Sequence, residues 1–312
     1  MKWHEPAVHA VDGAKDIFAV QSMGRAASWL QRKQRRALRV VWLAFLQVSL
    51  TGLLITFLIP SIWMVLSSFK APTEIFTHPI RWLPDKWIWQ NYIRAATILP
   101  FGRFAFNTMV ITVIATMGTV LSSTIVAYSF ARLRWPGRDL FFGLLLATIM
   151  LPEVVTLVPR FIMFRWFGWI DTYLPLTVPF WFGTATFYVF LIRQFLRGIP
   201  MELEDAARID GASRFRILWQ ILMPLSKPVV ATVAVFSVLQ HYNDFMGPLI
   251  YLNKMALWTM ALAVRSYNSQ YTAQWELIFA ISTMMMIPMV LLFIAAQRYF
   301  VQGITMTGFG GR

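Results

Sequence analysis

The four histidines are the first residues whose chemistry could define a site: His4, His9, His78 and His241. His4 and His9 flank a Glu, but they miss the zinc-protease spacing H-E-x-x-H by one residue, and Pro6 interrupts the helix that such a site needs. The chain has no cysteine, which excludes disulfide scaffolds, Cys-ligated zinc, iron–sulfur clusters and thiol catalysis. We therefore predict no catalytic residue, no metal site and no resident cofactor.

A polar face near residue 240 is the second candidate. Its residues recur at i, i+3, i+4 and i+7 of a helix, with one more beside them: Ser237, Gln240, His241, Asp244 and Asn243. An aspartate at the bilayer centre costs about 2.5–3.5 kcal/mol on insertion scales, so this face should avoid lipid. We predict that it lines a translocation pathway; alternatively, a short span ends here and its polar residues meet headgroups and water. Glu153 has the same two interpretations.

Composition indicates which elements must position these residues. Of the 312 residues, 58% are apolar and 13% are charged, whereas about a quarter of a soluble domain is charged. A helix needs about 20 mainly apolar residues to cross a bilayer. Six runs approach or exceed that length, with Glu153 the only charge inside them: 40–69, 104–131, 140–159, 172–192, 228–243 and 277–297. We therefore predict an all-α membrane protein with six transmembrane helices.

Charge distribution predicts the orientation. The net charge is +14, and 19 of the 28 Lys and Arg residues lie on the side of the termini, against 9 on the opposite side. Because Lys and Arg are enriched in cytoplasmic loops, both termini are placed in the cytoplasm. Residues 1–40 are predicted to be a basic cytoplasmic segment preceding a first transmembrane helix at 41–69. A five-helix core at 104–300 and a cytoplasmic tail at 301–312 complete the division.

The second run should present a close-packing face to other helices. Small side chains recur every four residues along it: Ala115, Thr119, Ser123, Ala127 and Ala131. Such a stripe lets helices approach closely in lipid, where van der Waals contact rather than hydrophobic burial drives helix pairing. Prolines are expected to kink the later spans, at Pro152, Pro159, Pro175, Pro179 and Pro288.

The inner loop at 193–227 is too long to be a simple connection. Pro200 suits the first position of a helix, acidic residues follow it, and Gly211 supplies a stop. Ser213 is predicted to cap a second helical segment. The first helix places Leu203, Ala206, Ala207 and Asp210 on one face. From this pattern alone, the helix could lie on the bilayer or bind a partner.

The loop also carries a motif. Glu204-Asp205-Ala206-Ala207-Arg208-Ile209-Asp210-Gly211-Ala212-Ser213 resembles the EAA loop of binding-protein-dependent ABC importer permeases. Phe130 to Gly137, Tyr242 to Phe245 and Gln297 to Thr305 resemble the carbohydrate-uptake class, in particular its maltose-permease-like second subunit. The resemblance covers the chain from about Leu50 and implies the type I importer permease fold (MetI-like).

The resemblance also implies roles. The loop helix would be a coupling helix that docks on a separate ATPase through Asp205, Ala206, Ala207 and Gly211. Asp205 stands where the family usually has Glu, and Glu204 is adjacent, so either carboxylate could make the contact. The tail residues Gln302, Gly303 and Thr305 would lie near the ATPase, and the outer loop 247–275 would face a solute-binding protein.

The implied assembly contains a second homologous permease and two ATP-binding cassette subunits in the inner membrane, with a sugar as cargo and no nucleic acid. The chain has no G-x-x-x-x-G-K-[ST] loop, so ATP should be bound by the partner subunit.

Two other classes of membrane protein are the alternatives. An ion-coupled secondary transporter needs relay groups deep in the spans, and only Glu153 and Asp244 qualify. A membrane-embedded enzyme needs convergent His, Asp or Ser groups, which the scattered histidines do not supply.

Overall fold

The computed structural model describes residues 38–267 and 274–308, and residues 298–308 by their backbone alone. The prediction for the basic N-terminal segment concerns residues that fall almost entirely before this range. The predicted tail contacts of Gln302, Gly303 and Thr305 concern side chains outside the described set.

Every regular element in the described ranges is a helix. The α-helices are α1 (Leu38–Ser67), α2 (Gln90–Ile98), α3 (Phe101–Arg132), α4 (Arg138–Ala147), α5 (Glu153–Trp166), α6 (Leu174–Thr177), α7 (Thr186–Arg197), α8 (Glu202–Ile209), α9 (Arg214–Arg216), α10 (Met223–Leu225), α11 (Lys227–Tyr242), α12 (Met246–Tyr251), α13 (Met260–Ser266) and α14 (Trp275–Gly308). Short 3-10 helices lie at Pro72–Glu74, Thr148–Met150, Val178–Phe182 and Met255–Leu257, and a π-helix lies at Ile217–Leu222.

Among the residues that the structure describes, four helical stretches are long and apolar enough to cross a membrane, namely Leu38–Ser67, Phe101–Arg132, Leu174–Arg197 and Trp275–Gln297. Two bent pairs also pass this test: Arg138–Met150 with Glu153–Trp166, and Arg214–Leu225 with Lys227–Tyr242. If each pair is one span, the total is six. The all-α prediction is confirmed, and the six predicted spans match these stretches.

The two bent pairs relate differently to the predicted runs. The first pair breaks inside the third run, whereas the second breaks at Ser226, before the fifth run, which α11 covers almost completely as one helix. The first pair bends by 101° and the second by 81°. Leu151, at the first bend, has an extended backbone with ψ of 117°, because the ring of a following proline, here Pro152, disfavours the helical conformation. Lys227 and Pro228 begin α11 after the second bend. The kink predicted at Pro152 is therefore a sharp break, whereas Pro228 is not one of the prolines predicted to kink a span. Pro159 and Pro288 lie inside helices.

Two helices run past the predicted boundaries, and the division of the chain into membrane and cytoplasmic segments stays a prediction. The first span is helical from Leu38 rather than from 41, and the last helix continues to Gly308. The predicted core-to-tail boundary at residue 300 therefore lies inside α14. A helix can extend beyond the bilayer into water, so the end of an apolar run does not mark the end of its helix.

The predicted small-residue stripe makes α3 the central helix, which packs against α7, α11 and the Val178–Phe182 segment. Ala115, Thr119, Ser123 and Ala127 are fully buried. Gly118 lies beside this stripe on the surface of α3. A Cβ atom at Gly118 would lie 2.5 Å from the Trp181 ring. Small side chains thus allow the close approach that the stripe predicts.

The main apolar core lies where α3 and α7 meet the loop between α7 and α11. Ile192 and Leu196 of α7 are almost completely buried, as are Ile217 and Leu222 of the π-helix. The loop is therefore a packed part of the structure. Its exposed residues are held in place by the same core that joins the central helices.

We expect the substitution Gly118→Ala to lower the thermal unfolding midpoint of the purified protein in nanodiscs. The added methyl group collides with Trp181, and overpacking of this kind costs about 1–3 kcal/mol. Gly143→Ala in α4 is the matched control, because nothing lies within 4 Å of the position that its methyl group would occupy. Equal midpoints for the two variants would show that the close contact is unimportant.

Candidate functional site

The loop between α7 and α11 contains the predicted helix as α8. The helix begins at Glu202 rather than at Pro200, and three acidic residues occupy its first turn, where they interact favourably with the helix dipole. At its end, the backbone N–H of Ala212 donates to the carbonyl of Ala207 at 2.9 Å, and the N–H of Gly211 donates to that of Arg208 at 3.0 Å. This pair of bonds is a Schellman motif.

Gly211 has a positive φ of 78°, a conformation that glycine adopts without the steric cost other residues meet. Gly211, which the sequence predicts to end the helix, is therefore required by the left-handed backbone conformation at this position. The second predicted signal is also present, since the Ser213 hydroxyl accepts a hydrogen bond from the backbone N–H of Arg216 at 3.3 Å.

The five residues predicted to dock on a partner fall into two groups. Glu204 and Ala207 are buried inside the chain, with exposed fractions of 0% and 7%. Asp205, Ala206 and Gly211 are exposed. The exposed side of α8 also carries apolar residues that the motif did not single out, Leu203 and Ile209, the latter 87% exposed. We name Leu203, Ala206 and Ile209, which lie three residues apart, the outer α8 face.

An ion pair inside the chain explains why Glu204 is buried. Its carboxylate lies 3.0 Å from Nε of Arg132, the last residue of α3, and the two side chains are 0% and 2% exposed. Arg208 lies one turn further along α8, with a guanidinium nitrogen 3.7 Å from the second carboxylate oxygen. Burial raises the pKa of the Glu204 carboxyl, and Arg132 and Arg208 oppose that rise.

Arg132 makes further contacts with the loop. Its guanidinium donates to the backbone carbonyls of Leu196 and Ile199, the latter at 2.6 Å, and contacts the sulfur of Met201. We name these residues together with Glu204 the Arg132 cluster. In the sequence, Arg132 is marked as a loop charge and as part of the Phe130 to Gly137 resemblance, and neither predicts this role. A further signal is its place at the inner end of the central span, where a guanidinium can bind helix-terminal carbonyls.

The predicted pathway residues on α11 separate into an inner and an outer group. Ser237 and His241 are buried and face α3, where Ser237 donates to Thr116 at 3.4 Å and Nε2 of His241 lies 3.4 Å from the Thr119 hydroxyl. The His241 ring also meets Phe180 edge-on at 4.3 Å. This inner group holds α11 against the central helix.

The remaining members of that face lie nearer to solvent. The exposed Gln240 accepts a hydrogen bond from the Tyr188 hydroxyl at 2.9 Å. Asn243 donates to its own helix, and Asp244 accepts from the backbone N–H of Gly247 at 3.1 Å. Asn243 and Asp244 therefore stabilise the end of α11 and the turn that follows it. The pathway role of the five residues stays a prediction.

Glu153 is exposed in the first turn of α5 and lies 3.3 Å from Arg160. In the part of the chain that the structure describes, no group of three or more His, Asp or Glu residues could hold a metal ion.

A carboxylate that sequence reasoning missed organises the opposite end of the bundle. Asp171 has a positive φ of 59° and accepts backbone hydrogen bonds from Asn253 at 2.6 Å and Lys254 at 3.2 Å. The bond from Asn253 is the largest cause that lowers the pKa of the Asp171 carboxyl. Asp171 thus attaches the beginning of the 247–275 loop to the segment before α6.

Comparison with known proteins gives a family match over most of this region. The family model described as binding-protein-dependent transport system inner membrane component matches residues 118–306. A solved bacterial ABC transporter that imports the acidic polysaccharide alginate has a chain with a TM-score of 0.74 and 21% identity, covering 82% of this chain and 96% of that one. At this identity the likeness shows the fold.

Three curated relatives are similar over most of their length. The sulfoquinovosyl glycerol permease SmoH of Agrobacterium fabrum is 29% identical and covers 83% of this chain and 91% of its own. The diacetylchitobiose uptake permease NgcG of Streptomyces coelicolor is 30% identical, with 77% and 80% covered. The sn-glycerol-3-phosphate permease UgpE of Yersinia enterocolitica is 34% identical, with 74% and 85% covered.

We expect the substitution Gly211→Val to loosen the end of α8, because a left-handed conformation costs a residue with a side chain about 1–2 kcal/mol. The measurement is limited trypsin digestion, in which cleavage after Arg208 should become faster. Gly211→Asn is the control, since asparagine tolerates this conformation and should leave the cleavage rate near that of the native protein. Unchanged cleavage in the valine variant would contradict the assigned backbone requirement.

Proposed function

The chain belongs to the family of binding-protein-dependent transport system inner membrane components, and from this premise we propose that it imports a sugar or a sugar-related polyol. As a member of that family it is a multi-pass permease of the inner membrane and not an enzyme. We further infer which partners it assembles with and which of its surfaces the ATPase contacts.

The names of the relatives support the cargo class. They include permeases for sulfoquinovosyl glycerol, diacetylchitobiose, sn-glycerol-3-phosphate and arabinooligosaccharides. These molecules share several hydroxyl groups and differ in size and charge. Of the predicted pathway residues, the exposed Gln240 and Asn243 offer amide groups of the kind that recognise such a cargo, whereas Ser237 and His241 are buried against α3.

The outer α8 face carries the coupling proposal. Leu203, Ala206 and Ile209 form an apolar strip on an eight-residue helix, and Asp205 and Gly211 border it. Glu204 and Ala207 point into the chain, so we assign them to holding the helix rather than to the contact. A narrow helix with one small and two large apolar residues facing outward fits a groove in a separate ATPase subunit.

The chain carries no phosphate-binding loop of the Walker type, so we assign ATP binding to two partner subunits that dock on this face and on the equivalent face of a second, homologous permease. We place both termini and α8 in the cytoplasm. The 247–275 loop, attached through Asp171, is then external, and we assign it to the surface that receives a solute-binding protein.

Cross-linking tests the docking surface directly. The chain has no cysteine, so a single introduced cysteine reports one position. We expect Ala206→Cys to cross-link to the ATPase subunit in intact membranes, because residue 206 is exposed. Ala207→Cys is the matched control one position away, where burial should prevent the reaction. No adduct from residue 206, with the complex assembled, would contradict docking through this face.

Energy dependence separates the importer from an ion-coupled transporter. In proteoliposomes containing the complete complex, uptake should require both ATP and the solute-binding protein and should persist when the proton gradient is collapsed. Glu153 and Asp244, the two carboxylates available for an ion relay, are engaged by Arg160 and by the backbone N–H of Gly247. Uptake that stops with the gradient and continues without ATP would overturn the proposal.

A further inference from the structure

The Arg132 cluster joins the central helix to the start of α8. One guanidinium contacts four points along a short stretch: the carbonyls of Leu196 and Ile199, the sulfur of Met201 and the carboxylate of Glu204. These points lie before and within the first turn of α8. Because the arginine side chain is 2% exposed, water does not compete for its donors.

Stability alone does not explain such an arrangement. Removing a guanidinium and a carboxylate from water is costly, and apolar residues of the same volume often serve as well or better. What the cluster supplies is geometry, since the planar fork of arginine donates to the Leu196 and Ile199 carbonyls at fixed angles. Its Nε faces the Glu204 carboxylate as an ion pair without a hydrogen bond. A lysine would provide the charge but not the simultaneous contacts with two carbonyls and a carboxylate.

Two further contacts attach the same end of α3 to the flanks of the loop. The Tyr128 hydroxyl donates to the carbonyl of Arg214, beyond α8, at 3.4 Å. Nε of Arg193 donates to the carbonyl of Phe130 at 3.3 Å. The last turn of α3 is thus bonded before, within and after α8, and independent movement of the two helices would break buried polar contacts.

We propose that Arg132 is a positioning residue that makes α8 and the inner end of α3 move as one body. This inference rests on the proposed function and adds the path by which movement of the ATPase reaches the transmembrane helices. A displacement of the outer α8 face by the ATPase passes directly into α3. Because α3 packs against α7 and α11, it reaches the helices that carry Tyr188, Ser237 and His241.

The first test separates this role from a purely structural one. Arg132→Met leaves the buried Glu204 carboxylate with Arg208 alone, at 3.7 Å, and is expected to reduce assembly. Arg132→Met combined with Glu204→Met removes both charges, so we expect insertion, the unfolding midpoint and cross-linking from Ala206→Cys to return toward native values. The cargo imported per ATP hydrolysed should nevertheless fall by about 5- to 150-fold, the usual range for coupling between two sites.

Arg132→Lys provides the conservative comparison. It keeps a positive charge beside Glu204 and should assemble, yet its coupling ratio should also fall, because an ammonium group cannot reproduce the fork. A native coupling ratio in the lysine variant or in the assembled double-methionine variant would overturn the inference. In either case, native cross-linking and ATP-dependent uptake by the unaltered chain would leave the proposed function standing.

The second test does not depend on altering Arg132. Spin labels at Arg134→Cys and Glu202→Cys, both exposed, report the distance between the end of α3 and the start of α8. In the reconstituted complex this distance should be narrow and the same without nucleotide and in the vanadate-trapped state. A different distance in the two states would overturn the inference, even if the double-methionine variant fails to assemble. A broader distribution in that variant would support it.

Discussion

A buried guanidinium at the end of the central helix is the interaction on which the rest of the structure depends. Arg132 lies at the point where the main core, the end of α7 and the start of α8 meet. An unpaired charge there would be strongly unfavourable, so the loop must present carbonyls and a carboxylate to it. Once Glu204 faces inward for this purpose, the helical repeat turns Leu203, Ala206 and Ile209 outward.

The remaining features follow from the same arrangement. Gly211 ends α8 with a left-handed residue, which allows the chain to return to the core through the π-helix, where Ile217 and Leu222 are fully buried. Small residues along α3 bring α7 and α11 close to it. The polar groups of α11 then bond to α3 within the bundle. Loop, central helix and polar face form one continuous packed unit.

Local signals predicted much of this architecture from the sequence. Charge-free runs located the spans, the four-residue repeat of small side chains identified the close-packing face of α3, and Gly211 and Ser213 marked helix boundaries. The sharp bends and the partners of charged groups were not predictable in this way. Arg132 and Glu204 are 72 positions apart, and Asp171 meets Asn253 at a separation of 82 residues. Such pairings exist only after the helices have packed, so no spacing rule reveals them. The motif falls on a helix that the structure contains as α8, but it could not tell which carboxylate faces inward.

The most direct measurement is a pair of cryo-electron microscopy structures of the complete importer, one without nucleotide and one with ATP bound. In both structures we expect the ATPase to cover Leu203, Ala206 and Ile209. We also expect Arg132 to keep its contacts with Glu204, Leu196 and Ile199 in both states, while α3 and α8 shift together. If Glu204 leaves Arg132 to bind the ATPase, or if α8 moves while α3 stays in place, Arg132 does not join the two helices.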